Sequence, residues 1–142
     1  MSCILVPVDV EFEASWRLGM PEAMAAAKRQ GSEIHLLAVL PDFGMSLVGQ
    51  YFPANFKEET STHAREALDK IANEMLGDAV KWQSHATHGG VVDTILSFVD
   101  ELQPRLVVMA AHAPSIMHDL LAGSHADRVA ARAPCSVLIV RG

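Results

Sequence analysis

The chain has 142 residues, of which half are hydrophobic and a fifth are charged, and its net charge is −6. This length suffices for one domain with a real core, and the scattered lysines and arginines argue against a nucleic-acid surface. No apolar stretch reaches the roughly 18 residues of a membrane-spanning helix. The N-terminus also lacks the basic region and cleavage site of a secretion signal. We therefore expect a cytoplasmic protein with neither membrane nor nucleic-acid partners.

The first 40 residues predict a strand, a helix and a second strand. The short β-branched run from Cys3 to Val8 predicts a buried strand. Residues 23–28, within the longer segment 14–30, are rich in alanine and favour a helix, and Pro21, just after Gly19, suits its first turn. Gly31 is expected to end that helix. Residues 34–40 form a second apolar run and predict a second buried strand.

The middle of the chain predicts a long loop, a helix and an edge strand. Residues 42–56 contain two glycines, a proline and four aromatic residues, and a connection of this length is often functional. From 57 to 76 the apolar residues recur at helical spacing. Residues 80–87 then predict a strand that is more polar than the others, which places it at an edge of the sheet.

The last third of the chain continues the same alternation. Gly89-Gly90 is expected to turn the chain into a helix that includes residues 92–99. The apolar run 106–109 predicts a fourth strand. A helix from Ser124 to about Arg132 and a fifth strand over 137–140 complete the chain.

Five alternations of strand and helix predict a single α/β domain over residues 1–142. Such a pattern is typical of a doubly wound parallel sheet with helices on both faces, as in Rossmann-like folds. Ligands of these folds bind beyond the carboxyl ends of the strands, where the strand order reverses. The residues that follow strands one, two and four are therefore the first candidates for a binding site.

Asp9 follows the first strand and admits two interpretations. Its carboxylate could accept hydrogen bonds from a ribose or a base amino group, or it could cap the following turn. Val39, at the end of strand two, and Met109, at the end of strand four, lie at the neighbouring strand ends.

Gly123-Ser124 is the clearest candidate for a phosphate contact. Ser124 and Asp127 match the S-x-x-D pattern that opens a helix. A helix N-terminus offers unpaired amides and the positive end of a dipole, which suits phosphate. Ser124 could also cap the helix without binding any ligand, and the two roles are compatible.

The histidines and cysteines do not indicate a metal or catalytic site. His112, His118 and His125 surround the loop after strand four, but their spacing matches no metal signature. His85 and His88 are expected on a strand and its exit loop, exposed to solvent. The two cysteines adjoin apolar runs and are expected to be small buried residues. We find no nucleophile–base pair and predict neither catalytic residues nor a metal site.

Three segments resemble the universal stress protein family. They are "ILVPVD" at the start, "HLLAVLP" at strand two and "LVVMAAHAPSIMHDLLAGSHADRVAARAPCSVLIVR" at the end. The resemblance covers essentially the whole chain and implies one universal stress protein domain with strand order 3-2-1-4-5, of the adenine nucleotide alpha hydrolase-like type. It also implies a cytosolic homodimer that acts in stress survival, and many members of the family bind ATP.

The family's ATP-binding members carry G-x2-G-x9-G-(S/T) after strand four. The first two glycines fall on Ala110 and Ala113, while Gly123-Ser124 retain both the spacing and the residue types. An alanine at a position that requires positive φ costs about 1–2 kcal/mol, and Pro114 offers no amide. The resemblance implies the following cofactor-binding residues: Pro7, Val8, Asp9, Val39, Met109, Ala110, His112, Ala113, Gly123, Ser124 and His125.

The sequence therefore predicts a dimeric stress-response protein with weak binding of ATP, accompanied by Mg²⁺. Two alternatives remain open at this point, an interaction module with a vestigial pocket and a slow ATP hydrolase. The apolar strand 137–140 is expected to pair with its twin across a two-fold axis, because an uncovered apolar edge promotes aggregation. Nucleotide binding is expected to tighten between about pH 7.5 and 6, as histidines near the loop become charged.

Overall fold

The structure is a computed structural model that describes residues 2–40, 55–111 and 119–141, and within 119–124 only the backbone is described. Strands and helices alternate along these residues, as the sequence predicts. The elements are β1 (Cys3–Pro7), α1 (Glu13–Arg17), α2 (Met20–Gln30), β2 (Glu33–Leu40), α3 (Phe56–Met75), β3 (Trp82–His88), α4 (Val91–Leu102), β4 (Leu106–Ala111), α5 (Asp119–Arg132) and β5 (Ser136–Arg141). The predicted loop 42–56 lies outside the described residues except for 55 and 56.

The five strands form one parallel sheet in the order β3-β2-β1-β4-β5. This order confirms the predicted fold class. The chain builds outward from β1 to β3 on one side and from β4 to β5 on the other. The strand order therefore reverses between β1 and β4, and the polar strand β3 lies at an edge as expected.

Apolar side chains cover both faces of the sheet because neighbouring residues of a strand point in opposite directions. Ile4 and Val6 pack with α2 and α3 on one face. Leu5 and Leu37 pack with α4 and α5 on the other face. The strands β1, β2 and β4 are thus buried on both sides, as is usual for parallel sheets.

The segment 14–30, which contains the predicted helix, forms parts of two helices. α1 ends at Arg17 and α2 begins at Met20, with Pro21 in its first turn as predicted. A continuous helix would bring the ring of Pro21 against the carbonyl of Arg17, four residues earlier. Gly31 ends α2 in the left-handed conformation with φ of +65°.

The helix before β5 begins five residues earlier than predicted. α5 starts at Asp119, so Gly123 and Ser124 lie inside it and Ser124 does not occupy the capping position. Leucine and alanine at 120–122 favour helix strongly enough to outweigh the roughly 1 kcal/mol that a glycine costs. Asp119 also suits the positive end of the helix dipole.

In the part of the chain that the structure describes, no helix combines the length and the apolar character needed to cross a membrane.

Candidate nucleotide site at the carboxyl ends of the strands

The end of β1 is fixed to β2 by the main chain. Pro7 is the last residue of β1 and lies opposite Leu37. The N–H of Val8 donates to the carbonyl oxygen of Leu37 at 2.8 Å, and Val8 itself is buried. The chain therefore leaves the sheet at Asp9 from a rigid position.

Asp9 lies in a hydrogen-bonded turn, and its side chain is exposed. The N–H of Glu11 donates to Oδ1 of Asp9 at 3.0 Å. The Ser15 hydroxyl donates to the carbonyl oxygen of Asp9 at 2.9 Å and accepts from its N–H at 3.0 Å. The turn-capping interpretation of Asp9 is thus observed. A carboxylate accepts several hydrogen bonds, so this bond leaves capacity for a ligand hydroxyl.

Val39 stands on the neighbouring strand, one residue before the end of β2. It lies opposite Thr87 and packs against the core on the side of α4 and α5. The N–H of Gly89 donates to the carbonyl oxygen of Leu40 at 3.0 Å, which joins the ends of β2 and β3. An apolar side chain held here can contact the face of a planar ring.

Met109 and Ala110 approach the end of β4, on the other side of the strand-order reversal. Met109 is buried and lies opposite Ile139, while Ala110 is half-buried opposite Val140. Within the described ranges, Gln103 is the one non-glycine residue with positive φ. The alanine at 110 therefore carries no left-handed strain, and the expected cost of 1–2 kcal/mol does not apply there.

The remaining predicted site residues belong to the segment after β4. His112 and Ala113 lie outside the described residues, as do Pro114 and His118. Gly123 and Ser124 are inside α5, where the amide of Ser124 is the sixth of the helix. Only the first four amides of a helix lack a partner within it. The amides of Gly123 and Ser124 are therefore bonded within the helix.

His125 is half-buried on α5, and burial lowers the pKa of its imidazole, with a smaller contribution from Arg128. Its proton therefore binds below the usual pH of about 6.5. Because the unfolded chain binds that proton at higher pH, His125 makes the fold less stable as the pH falls below about 6.5.

Because its pKa is lowered, His125 can strengthen nucleotide binding only at a lower pH than an ordinary histidine would. We expect His125→Gln to leave nucleotide affinity unchanged at pH 7.5 and to remove part of any tightening below about pH 6. Calorimetric titration of both proteins at the two pH values tests this. Weaker binding by the variant at pH 7.5 would show that neutral His125 contacts the ligand.

Comparison with known proteins identifies the family. A sequence model of the universal stress protein family matches residues 1–141. The chain is also 35% identical over 143 aligned residues to universal stress protein G of Salmonella typhimurium, with 97% of each protein covered. The chain belongs to the universal stress protein family.

Solved universal stress proteins share this fold. A universal stress protein in complex with cAMP superposes with a TM-score of 0.64 at 23% identity, covering 99% of this chain and 96% of the other. A universal stress protein of Archaeoglobus fulgidus in complex with dAMP gives a TM-score of 0.62 at 19% identity, covering 99% and 98%.

One polar cluster of this universal stress protein was missed by sequence reasoning. His35 lies in β2 and is 5% exposed, and its ring is hydrogen-bonded to His85 at 2.8 Å. The expectation that His85 and His88 are solvated is wrong: both are half-buried, and Nε2 of His88 lies 2.9 Å from the Thr60 hydroxyl. The signal was available, because a histidine inside the apolar run 34–40 must enter the core and find partners there.

The cysteines differ from each other in burial. Cys3 is buried as predicted, and burial raises the pKa of its thiol. Cys135 is only half-buried, because it lies in the turn before the edge strand β5. Among the described residues, no three histidine, cysteine or acidic side chains are placed to hold a metal ion.

Proposed function

We propose that this universal stress protein is a cytoplasmic stress-response protein that binds adenine nucleotides weakly, mainly through the adenosine end. The observation that carries the proposal is the position of Asp9, Val39 and Met109 at the carboxyl ends of β1, β2 and β4, respectively. These three ends flank the reversal of strand order, where open α/β sheets bind their ligands.

The chemistry of these residues suits adenosine. The Asp9 carboxylate can accept from ribose hydroxyls, and Val39 offers an apolar surface to a base. The related proteins solved with cAMP and dAMP bind ligands that consist of an adenine, a sugar and one phosphate. Both relatives therefore support the proposal that this chain binds an adenine nucleotide.

The phosphate side offers fewer contacts than a glycine-rich loop. No lysine or arginine occurs between Met109 and Asp127. The backbone amides of Gly123 and Ser124 lie beyond the first four of α5, so they are not free to bind phosphate. The β- and γ-phosphates of ATP are therefore expected to add little affinity.

Titration of the purified protein with ATP and AMP, in the presence of Mg²⁺, tests the proposal. We expect the two dissociation constants to agree within about tenfold, a difference of 1.4 kcal/mol or less. Asp9→Asn keeps an acceptor for the Glu11 amide but removes the charge, and should weaken both nucleotides about tenfold or more. Glu11→Gln is the matched control and should bind as the unmodified protein does.

Two results would contradict the proposal. A strong preference for ATP would show that the segment after β4 holds the phosphates, and turnover of ATP would favour the slow hydrolase. Absence of binding would favour the interaction module with a vestigial pocket.

We also propose that the protein is a homodimer that pairs through β5. Among the described residues, Leu138 is the large hydrophobic side chain left exposed, at 38%, and it lies on this edge strand. The apolar edge strand is thus uncovered in an isolated protomer. Pairing with a second copy would cover Leu138 and satisfy the outward main-chain groups of β5.

A further inference from the structure

A pair of histidines joins the edge strand β3 to the rest of the sheet. His35 lies on β2 and His85 on β3, and both side chains are on the face covered by α4. Their ring planes are nearly parallel, at an angle of 9°, and the rings meet edge to edge with their centroids 5.1 Å apart. Phe98 of α4 packs edge-on against His85, with centroids 5.4 Å apart.

The hydrogen bonds of the pair assign its protons. Nε2 of His35 lies 2.8 Å from Oε1 of Glu33, and an ionised carboxylate only accepts hydrogen bonds. His35 therefore carries its proton on Nε2 and presents a bare Nδ1. Nε2 of His85 lies 2.8 Å from that Nδ1 and must donate to it. In the neutral pair, His85 donates a hydrogen bond to His35, and His35 donates one to Glu33.

This arrangement accepts one added proton but not two. The first can bind Nδ1 of His85 and leave the bond between the rings intact. A second proton must bind Nδ1 of His35, where it would face the N–H of His85 at hydrogen-bond distance. Two donors then point at each other, and two positive charges lie in adjacent rings. The contact between the strands must break.

The surrounding charges and burial set the balance. Glu33 of β2 faces His35, and Glu101 of α4 favours the charged form of His85. Burial is the main cause that lowers the pKa of His85, and charged His35 and Arg65 of α3 lower it further. On the β1 side, the pKa of the Cys3 thiol is raised, which keeps it neutral. His85 is therefore neutral at neutral pH and gains its second proton only on acidification.

We propose that the His35–His85 pair is an acid-released latch that holds β3 on the sheet. β3 lies at the edge and has β2 as its single neighbour within the sheet. The central strands β1 and β4 have a neighbour on each side. Double protonation of the pair removes the side-chain link across the β2–β3 boundary, so β3 loosens at a pH where the central strands are still intact.

Amide hydrogen exchange on the full-length protein tests the latch. Protection factors are corrected for the intrinsic exchange rates at each pH. Between about pH 7 and pH 5, we expect the protection of β3 to fall by at least tenfold more than the protection of β1 does, a factor that matches one pK unit. In His85→Gln, the side-chain amide can still donate to His35 but takes up no proton. Acid should then affect β3 and β1 alike. His63→Gln removes an exposed histidine of α3 and should behave as the unmodified protein.

Equal loss of protection in β3 and β1 of the unmodified protein would overturn the proposal, as would an acid response of His85→Gln equal to that of His63→Gln. If His85→Gln does not fold, the titration of the two histidine ring signals by NMR decides. Two coupled steps, with the second at clearly lower pH, support the latch. Independent single-site curves with a shared midpoint near about pH 6.5 overturn it.

Discussion

Ile139→Pro is expected to convert the proposed dimer into monomers. The substitution places a residue without an N–H in the middle of β5, opposite Met109 of β4. A proline in a strand costs a ladder hydrogen bond and is found almost only at edges. We expect the substitution to raise the dissociation constant of the dimer about a hundredfold or more, close to 3 kcal/mol. Analytical ultracentrifugation over a range of concentrations measures this constant.

A second variant separates dimer loss from misfolding. Leu138→Arg places a charge at a side chain that is already exposed in the protomer, so the protomer should remain folded. Two such arginines would add like charges to the shared interface and repel each other. Ser97→Arg adds the same charge at an exposed position of α4 and should leave the dimer intact. An unmodified protein that sediments as a monomer at high concentration would refute pairing through β5.

Gly89→Ala is expected to lower the free energy of unfolding by about 2–3 kcal/mol, within the range known for residues forced into glycine-only conformations. Gly89 has φ of +152°, which residues other than glycine rarely adopt. A Cβ at this position would lie 2.6 Å from Oγ1 of Thr94. This glycine also joins β3 to β2 through its bond to Leu40. Denaturant unfolding of the variant measures the loss.

Two further variants divide that loss into its causes. Gly31→Ala has left-handed φ but no heavy atom within 4 Å of the added Cβ, and should cost only about 1–2 kcal/mol. Adding Thr94→Ala to Gly89→Ala removes the close contact and should recover part of the stability. If Gly89→Ala proves no more costly than Gly31→Ala, the crowding by Thr94 is unimportant.

Local patterns determine the elements of this protein and their order along the chain. The apolar runs at 34–40 and 106–109 predict strands because a strand buried on both faces has no polar side to display. Pro21 and Gly31 mark helix ends through their own backbone restrictions, which need no tertiary contact. The polarity of β3 also placed it correctly at an edge, since only an edge strand tolerates partial exposure.

The details at helix starts were harder to predict from local patterns. The S-x-x-D pattern at Ser124 is a good capping signal, but the helix-favouring residues before it extend α5 back to Asp119. Several short patterns compete at such a boundary, and the sum of propensities over the whole turn decides among them. The family motif also left open whether Ala110 occupies a position that requires positive φ, and β4 continues through it as an extended strand.

By itself, the sequence determined the strand–helix alternation, because this depends on residue patterns within each segment. Motifs along the chain indicated the family, and the strand order was expected only from that resemblance. Only the tertiary structure decided which side chains meet across the sheet. His35 and His85 are fifty residues apart, and the parallel register of β2 and β3 brings them to 2.8 Å. A register is set by packing of whole strands, so no local pattern around either histidine specifies its partner.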